Sequence, residues 1–150
     1  MNNIRITKEF RFEMAHALYG YDGVCKNIHG HSYCLSVTIK GQPIKDPTHP
    51  KQGMVMDFSE IKNIVKPIIN KLDHATILNS NSPHKKLAEE NLLFDKLVLV
   101  NYQPTCENIL IDIAQQIKNQ LVSDVELNHL KLQETSTSYA EWFSEDNIII

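Results

Sequence analysis

Ile4-Arg5-Ile6-Thr7-Lys8-Glu9-Phe10-Arg11-Phe12-Glu13-Met14-Ala15-His16 alternates apolar and polar side chains. Ile4, Ile6, Phe10, Phe12 and Met14 share one face; Arg5, Thr7, Glu9, Arg11 and Glu13 share the other. A period of two is the mark of a β-strand with one buried side. His16 closes the segment with the parity of the apolar set. Residues 31–40 alternate again, placing Tyr33, Leu35, Val37 and Ile39 on one face, and His29 and His31 have that same parity. Two half-buried strands call for a sheet whose apolar side is covered by another layer.

The segments that follow supply the cover. Residues 17–30 have no period and read as a loop, while 41–53 holds three prolines and reads as a hairpin-like connection. Asp57-Phe58-Ser59-Glu60 has the form of a capping box, with Asp57 as N-cap and Glu60 at the third helical position. Phe58, Ile61, Ile64, Ile68 and Leu72 then keep helical spacing up to Asp73-His74, and Pro67 is expected to kink that helix. Residues 79–93 read as a polar surface excursion. Phe94 to Val100 is either a short strand or an apolar lead-in. Pro104-Thr105 opens a second helix with Thr105 as N-cap and a stripe of Leu110, Ile113, Ile117 and Leu121. Leu130, Leu132 and Glu134 share a face of the next strand, and 139–150 forms the last. The order strand, strand, helix, helix, strand, strand predicts an α+β fold: a four-stranded antiparallel sheet with two helices packed on one face.

Length and charge narrow the function. The 150 residues fit one domain spanning 1–150, long enough to bury about 70% of its unfolded surface without disulfide staples. A net charge of −3 with scattered Lys and Arg excludes a nucleic-acid stripe. Three cysteines form no disulfide framework and point to a reducing compartment. Met1-Asn2-Asn3-Ile4-Arg5 lacks a signal-peptide core and no stretch approaches 18 apolar residues, so the expectation is a cytoplasmic protein with no membrane partner.

The chemistry gathers in Cys25-Lys26-Asn27-Ile28-His29-Gly30-His31. His29 and His31, two apart on a strand, project from one face, and His16 lies on the matching face of its neighbour. Imidazole suits Zn²⁺, and three protein ligands leave a fourth position for water or substrate. His49, His84 and His129 fall in loops or on the polar face and are read as structural. Cys25 sits in a loop among Asp22, Lys26 and Asn27, a setting for a base or nucleophile. Cys34, with outward parity, and Cys106, at a helix start, are read as structural. Asp73-His74 can relay protons if it lies near a thiol. Glu134 continues the inward face of Leu130 and Leu132. A buried carboxylate needs a partner, and a planar ligand with two adjacent N–H donors would supply one; the alternative is that the strand ends at Leu132 and Glu134 is exposed. Glu107, in a first helical turn, carries a weaker signal.

Phe12-Glu13-Met14-Ala15-His16, Cys25 to His31, Gly53 to Phe58, Leu72-Asp73-His74, Pro104-Thr105-Cys106-Glu107-Asn108 and Glu134-Thr135 together resemble the 6-pyruvoyl-tetrahydropterin synthase superfamily, in order and over nearly the whole chain. The three residues between Cys25 and His29 are similar to the bacterial 6-carboxy-tetrahydropterin synthase branch of the queuosine and 7-deazaguanine pathway. That branch is a carbon–carbon lyase turning 7,8-dihydroneopterin triphosphate and water into 6-carboxy-5,6,7,8-tetrahydropterin, acetaldehyde and triphosphate. The resemblance implies Zn²⁺ on His16, His29 and His31, a proton-accepting Cys25, relay partners Asp73 and His74, and Glu134 anchoring the pterin and sharing in the relay. It implies Thr105 and Glu107 lining the pterin pocket. Lys26 is a triphosphate candidate from its charge. It also implies the tunnelling fold and homo-oligomers, trimers pairing to a homohexamer with sites between subunits. Residues 79–103 depart from the pattern as a longer link than a compact bacterial member needs. Two other readings compete: the pyruvoyl-forming enzyme, and a non-catalytic protein whose structural zinc takes Cys25 as fourth ligand.

Overall fold

The alternation of the two leading segments is satisfied by pairing them. β1 (Ile4–His16), β2 (His29–Gly41), α1 (Phe58–Leu72), β3 (Ala75–Asn79), α2 (His84–Glu89), β4 (Leu97–Val100), α3 (Cys106–Lys118), β5 (Val125–Gln133) and β6 (Tyr139–Phe143) follow one another along the chain. The computed structural model describes residues 2–148, and these elements are counted among them. β1 and β2 run antiparallel, with Ile4 opposite Gly41, Met14 opposite His31 and His16 opposite His29.

The sheet has six strands in the order β4-β3-β1-β2-β5-β6. The four expected antiparallel strands are present as β1-β2-β5-β6. The expectation of four strands is corrected by β3, parallel to β1, and β4, parallel to β3, which make the sheet mixed. Both strands come from 75–100, where α2 also interrupts the expected irregular excursion. The apolar run before Val100 resolves into a 3₁₀ turn at Leu92–Phe94 followed by a strand.

Parity places the core. Phe10, Phe12 and Met14 of β1, Tyr33, Leu35, Val37 and Ile39 of β2, and Leu127, Leu130 and Leu132 of β5 are buried in one cluster with residues of α1 and α3. Both helices therefore cover the same side, as expected. Leu127 and Leu130 both face inward because the register slips: Ile39 faces Leu127 and Thr38 faces His129, leaving Asn128 as an extra residue. A β-bulge of this kind resets the alternation. Ile4, expected in the buried set, is 45% exposed at the strand start.

Asp57 caps α1 by accepting from the Ser59 backbone N–H at 2.8 Å. The reciprocal half of the capping box is not made, because Glu60 pairs instead with Lys51. The buried stripe of α1 is Ile61, Val65, Ile68 and Ile69, so it is turned away from Phe58, which is 49% exposed. α1 continues past Pro67 to Leu72. Thr105 caps α3 by accepting from the Asn108 N–H at 3.3 Å, and Ile109, Leu110, Ile113, Ala114 and Ile117 are buried. In the 41–53 connection, Ile44 N–H donates to Met54 and Gly53 N–H to Ile44, which gives the expected hairpin-like shape. Two boundaries differ from expectation. His29 and Gly30 belong to β2, not to the loop, which contains a 3₁₀ turn at Val24–Lys26. The last strand ends at Phe143; Ile148 is 72% exposed, and Ile149 and Ile150 lie outside the described residues.

Candidate metal centre and active site

Strand pairing converts a sequence pattern into a cluster. With His16 opposite His29 and His31 one inward position further on, three imidazoles meet at the end of β1 and β2. Ring centroids are 4.5 Å apart for His16–His29, 4.9 Å for His29–His31 and 5.2 Å for His16–His31. One nitrogen from each ring lies within 4.8 Å of the others.

The donor set fits a divalent metal. His16 Nδ1 lies 2.7 Å from the Pro104 carbonyl oxygen, and His29 Nδ1 lies 2.7 Å from that of Asn27. Only an N–H can make those bonds, so each neutral ring turns a lone pair out at Nε2. Those two Nε2 atoms are 3.0 Å apart. Facing lone pairs at that distance are stabilised by a cation between them. Burial holds His16 below its ordinary pKa, which favours the neutral ring, against the raising effect of the Pro104 bond. His31 Nε2 is buried without a hydrogen-bond partner among the described residues, a cost a metal bond would remove. The carbonyls hold the ligand tautomers as outer-shell groups do in metal sites. His16 is tied to the entrance of α3, so that helix positions the site as well as covering the core.

Beside the cluster lies a cavity of about 290 Å³ lined by His16, Cys25, Thr105, Cys106, Glu107 and Glu134, with Tyr21 and Tyr139 among its other walls. Five residues singled out in the sequence are thus brought together. β5 ends at Gln133, yet Glu134 is only 24% exposed in its side chain and turns to the cavity, settling the choice left open by its parity. Its Oε2 accepts from the Tyr33 hydroxyl at 3.1 Å, and its Oε1 lies 3.9 Å from His31 Nε2. Cys106 donates to the Leu132 carbonyl at 3.4 Å; burial, then the Glu134 charge, push its thiol up to about 12. Burial likewise pushes the Tyr33 phenol far up, so it stays a donor.

Other expected residues lie elsewhere. Lys26 is exposed beside Cys25 and does not line the cavity. Asp73 and His74 do not line it either. His74 borders a separate groove with Glu13, Gly30, His31 and Ser32. There Asp73 Oδ1 accepts from the Glu13 N–H at 2.9 Å and lies 3.0 Å from His74 Nδ1, and the Glu13 N–H holds its carboxyl below the usual range. His74 has φ 58° and a side chain 75% exposed, so its imidazole is open to solvent. His84, expected in a loop or on the polar face, opens α2 and meets Tyr19 edge-on, and His129 contacts Glu141 at 3.0 Å. The sequence reading missed Tyr33 and Cys106 as site residues. Tyr33 shared the parity of His29 and His31, a signal masked by its apolar neighbours.

An α+β chain with α1 and α3 on one side of a mixed sheet, and three histidines that could hold a metal beside a cavity, defines a class of enzymes with a candidate metal site. More narrowly, the chain belongs to the 6-pyruvoyl tetrahydropterin synthase family, whose model matches residues 5–145, and it is an enzyme of that family. It is 40% identical over 143 residues to the 6-carboxy-5,6,7,8-tetrahydropterin synthase of Haemophilus influenzae, covering 92% of this chain and 97% of the relative. It is 31% identical to the Aquifex aeolicus protein of the same description, covering 93% and 98%. The fold matches the solved structure of Caenorhabditis elegans 6-pyruvoyl tetrahydropterin synthase with a TM-score of 0.68 at 22% identity, over 95% of this chain and 96% of that one. Among the described residues no helix is long and apolar enough to cross a membrane.

Proposed function

We propose that this enzyme converts 7,8-dihydroneopterin triphosphate and water to 6-carboxy-5,6,7,8-tetrahydropterin, acetaldehyde and triphosphate, as a step toward queuosine and other 7-deazaguanines. The observation that carries the reading is the three-histidine cluster beside a cavity that His16 lines together with Cys25 and Glu134. The descriptions of its relatives and the three-residue spacer between Cys25 and His29 support the carboxy-forming branch.

His16, His29 and His31 would hold Zn²⁺. Bound there, the ion supplies Lewis-acid polarisation of the substrate's side-chain hydroxyls. Cys25 takes a proton from that side chain. Glu134 receives two adjacent N–H groups of the pterin edge, a pairing that suits a carboxylate. Thr105 and Glu107 shape the wall at the entrance of α3, and Lys26, exposed beside Cys25, is the triphosphate candidate from its charge alone. Asp73 orients His74 for proton exchange with the Cys25 of a second copy, since His74 is exposed and lies outside the cavity that holds its own Cys25. The assembly is a homo-oligomer built from trimers.

Cys25 is not among the clustered ligand atoms. This favours an open catalytic site over a structural zinc with sulfur as fourth ligand. Incubation with dihydroneopterin triphosphate and zinc tests the reaction. Stoichiometric acetaldehyde with a 6-carboxy product is expected. A 6-pyruvoyl product without acetaldehyde transfers the chain to the pyruvoyl-forming activity, and no turnover of any pterin overturns both.

A further inference from the structure

Tyr33 carries a hydroxyl that core packing does not need. It lies opposite Phe12 in the β1–β2 ladder, is 1% exposed, and stacks on the Phe12 ring at 5.2 Å with planes 12° apart. A phenylalanine would fill that space equally well. The hydroxyl instead reaches out of the core and donates to Glu134 Oε2 at 3.1 Å, across 101 positions of sequence. Glu134 is otherwise poorly held. It stands just beyond the end of β5, where its backbone N–H donates to the Ser138 carbonyl in the turn to β6. Its Oε1 accepts no hydrogen bond among the described residues, and the 3.9 Å to His31 Nε2 is too long for one.

We propose that Tyr33 is the positioning residue for Glu134. Its hydroxyl holds Oε2, sets the rotation of the carboxylate, and so lets this end of the cavity select a planar ligand edge bearing two adjacent N–H donors. The inference rests on the reading of Glu134 as the pterin anchor. The physical reason is orientation. A Glu side chain has three soft torsions, and a two-point grip works only when all are set. Carboxylate oxygens have lone pairs to spare, so Oε2 can keep the phenol and still accept from a ligand. The strand that carries two candidate metal ligands thereby also carries the group that aims the ligand anchor. His29, His31 and Tyr33 project from one face of β2 at successive inward positions, and the metal site and the recognition site share one ruler.

The test separates selection from stability. Binding of 7,8-dihydroneopterin is compared with that of its lumazine counterpart, in which an oxo group replaces the 2-amino donor. Both dissociation constants are measured on the same preparation, so an inactive fraction does not alter their ratio. Wild type prefers dihydroneopterin. Tyr33→Phe keeps the Phe12 stack and is expected to bind dihydroneopterin about tenfold more weakly, with lumazine affinity and zinc content unchanged, so the preference shrinks about tenfold. Glu134→Gln, run beside it, tests the underlying reading. If Glu134→Gln loses the preference while Tyr33→Phe keeps it, the role of Tyr33 is overturned and the anchor stands. If Glu134→Gln keeps the preference, the anchor reading falls and the role of Tyr33 falls with it.

Discussion

His16, His29 and His31 were legible because period two is rigid: a residue's parity fixes its face, and a histidine of apolar parity at a strand end has few alternatives. Removing one should abolish the site. His31→Ala is expected to lower zinc affinity by more than about 100-fold, beyond the range usual for outer-shell changes, and metal analysis after dialysis checks it. Retained stoichiometric zinc would reject the ligand set. The thiols were less legible, since sequence distinguished Cys25 from Cys106 only by loop against helix. The structure places both at one cavity and separates them by environment. With its thiol near 12, Cys106 is ionised to only about one part in 10⁴ at pH 8. Iodoacetamide in that range is therefore expected to spare Cys106 in folded protein, read by peptide mass spectrometry. Cys25→Ala should cut turnover about 10²–10⁴-fold with zinc retained; near-wild-type activity would exclude Cys25 as the base.

Elements were legible where one face meets water and the other meets the core. β1, β2, α1 and α3 have that asymmetry. β3 and β4 do not: Leu97-Val98-Leu99-Val100 is uniformly apolar and uniformly half-buried, and parallel strands flanked on both sides lose the alternation that identifies a strand. α2, with six residues and no side-chain cap, is too short to show a period. The bulge at Asn128 hid one inward leucine for the same reason, because strict alternation sends Leu127 outward. Cap chemistry was readable, and it makes an acid-stability prediction for α1. The Ser59 N–H bond holds the Asp57 carboxyl below its ordinary 3.8. A carboxyl depressed by folding stabilises fully above its unfolded value, and that contribution is lost as pH falls through the folded value. The Tm gap between wild type and Asp57→Ala should therefore be constant near neutrality and narrow below 3.8. Asp57→Ser, whose hydroxyl accepts the same bond without charge, should keep a constant margin over Asp57→Ala across the same range.

At the scale of the whole molecule, one chain holds the parts of the proposed chemistry on two different surfaces. Cys25 and Glu134 share the cavity, whereas His74, paired with Asp73, borders a separate groove with an exposed imidazole. No loop motion within one chain is needed if each cavity borrows the pair from a neighbour. Closed symmetry makes such borrowing reciprocal, since every copy both gives and receives. Complementation then becomes a direct readout. Cys25→Ala and His74→Ala homomers should each be nearly inactive. Mixed by joint refolding or co-expression in equal amounts, they should recover about a quarter of wild-type activity, the share of interfaces where an intact Cys25 meets an intact His74. Sites assembled within single chains give no recovery, because every chain then carries one defect. Size measurement on the mixed sample excludes failed assembly as the cause of a null result. Activity that stays at the level of the parent variants in properly assembled mixtures would return the relay to the chain that bears it, and would require Asp73 and His74 to reach Cys25 by rearrangement around β1.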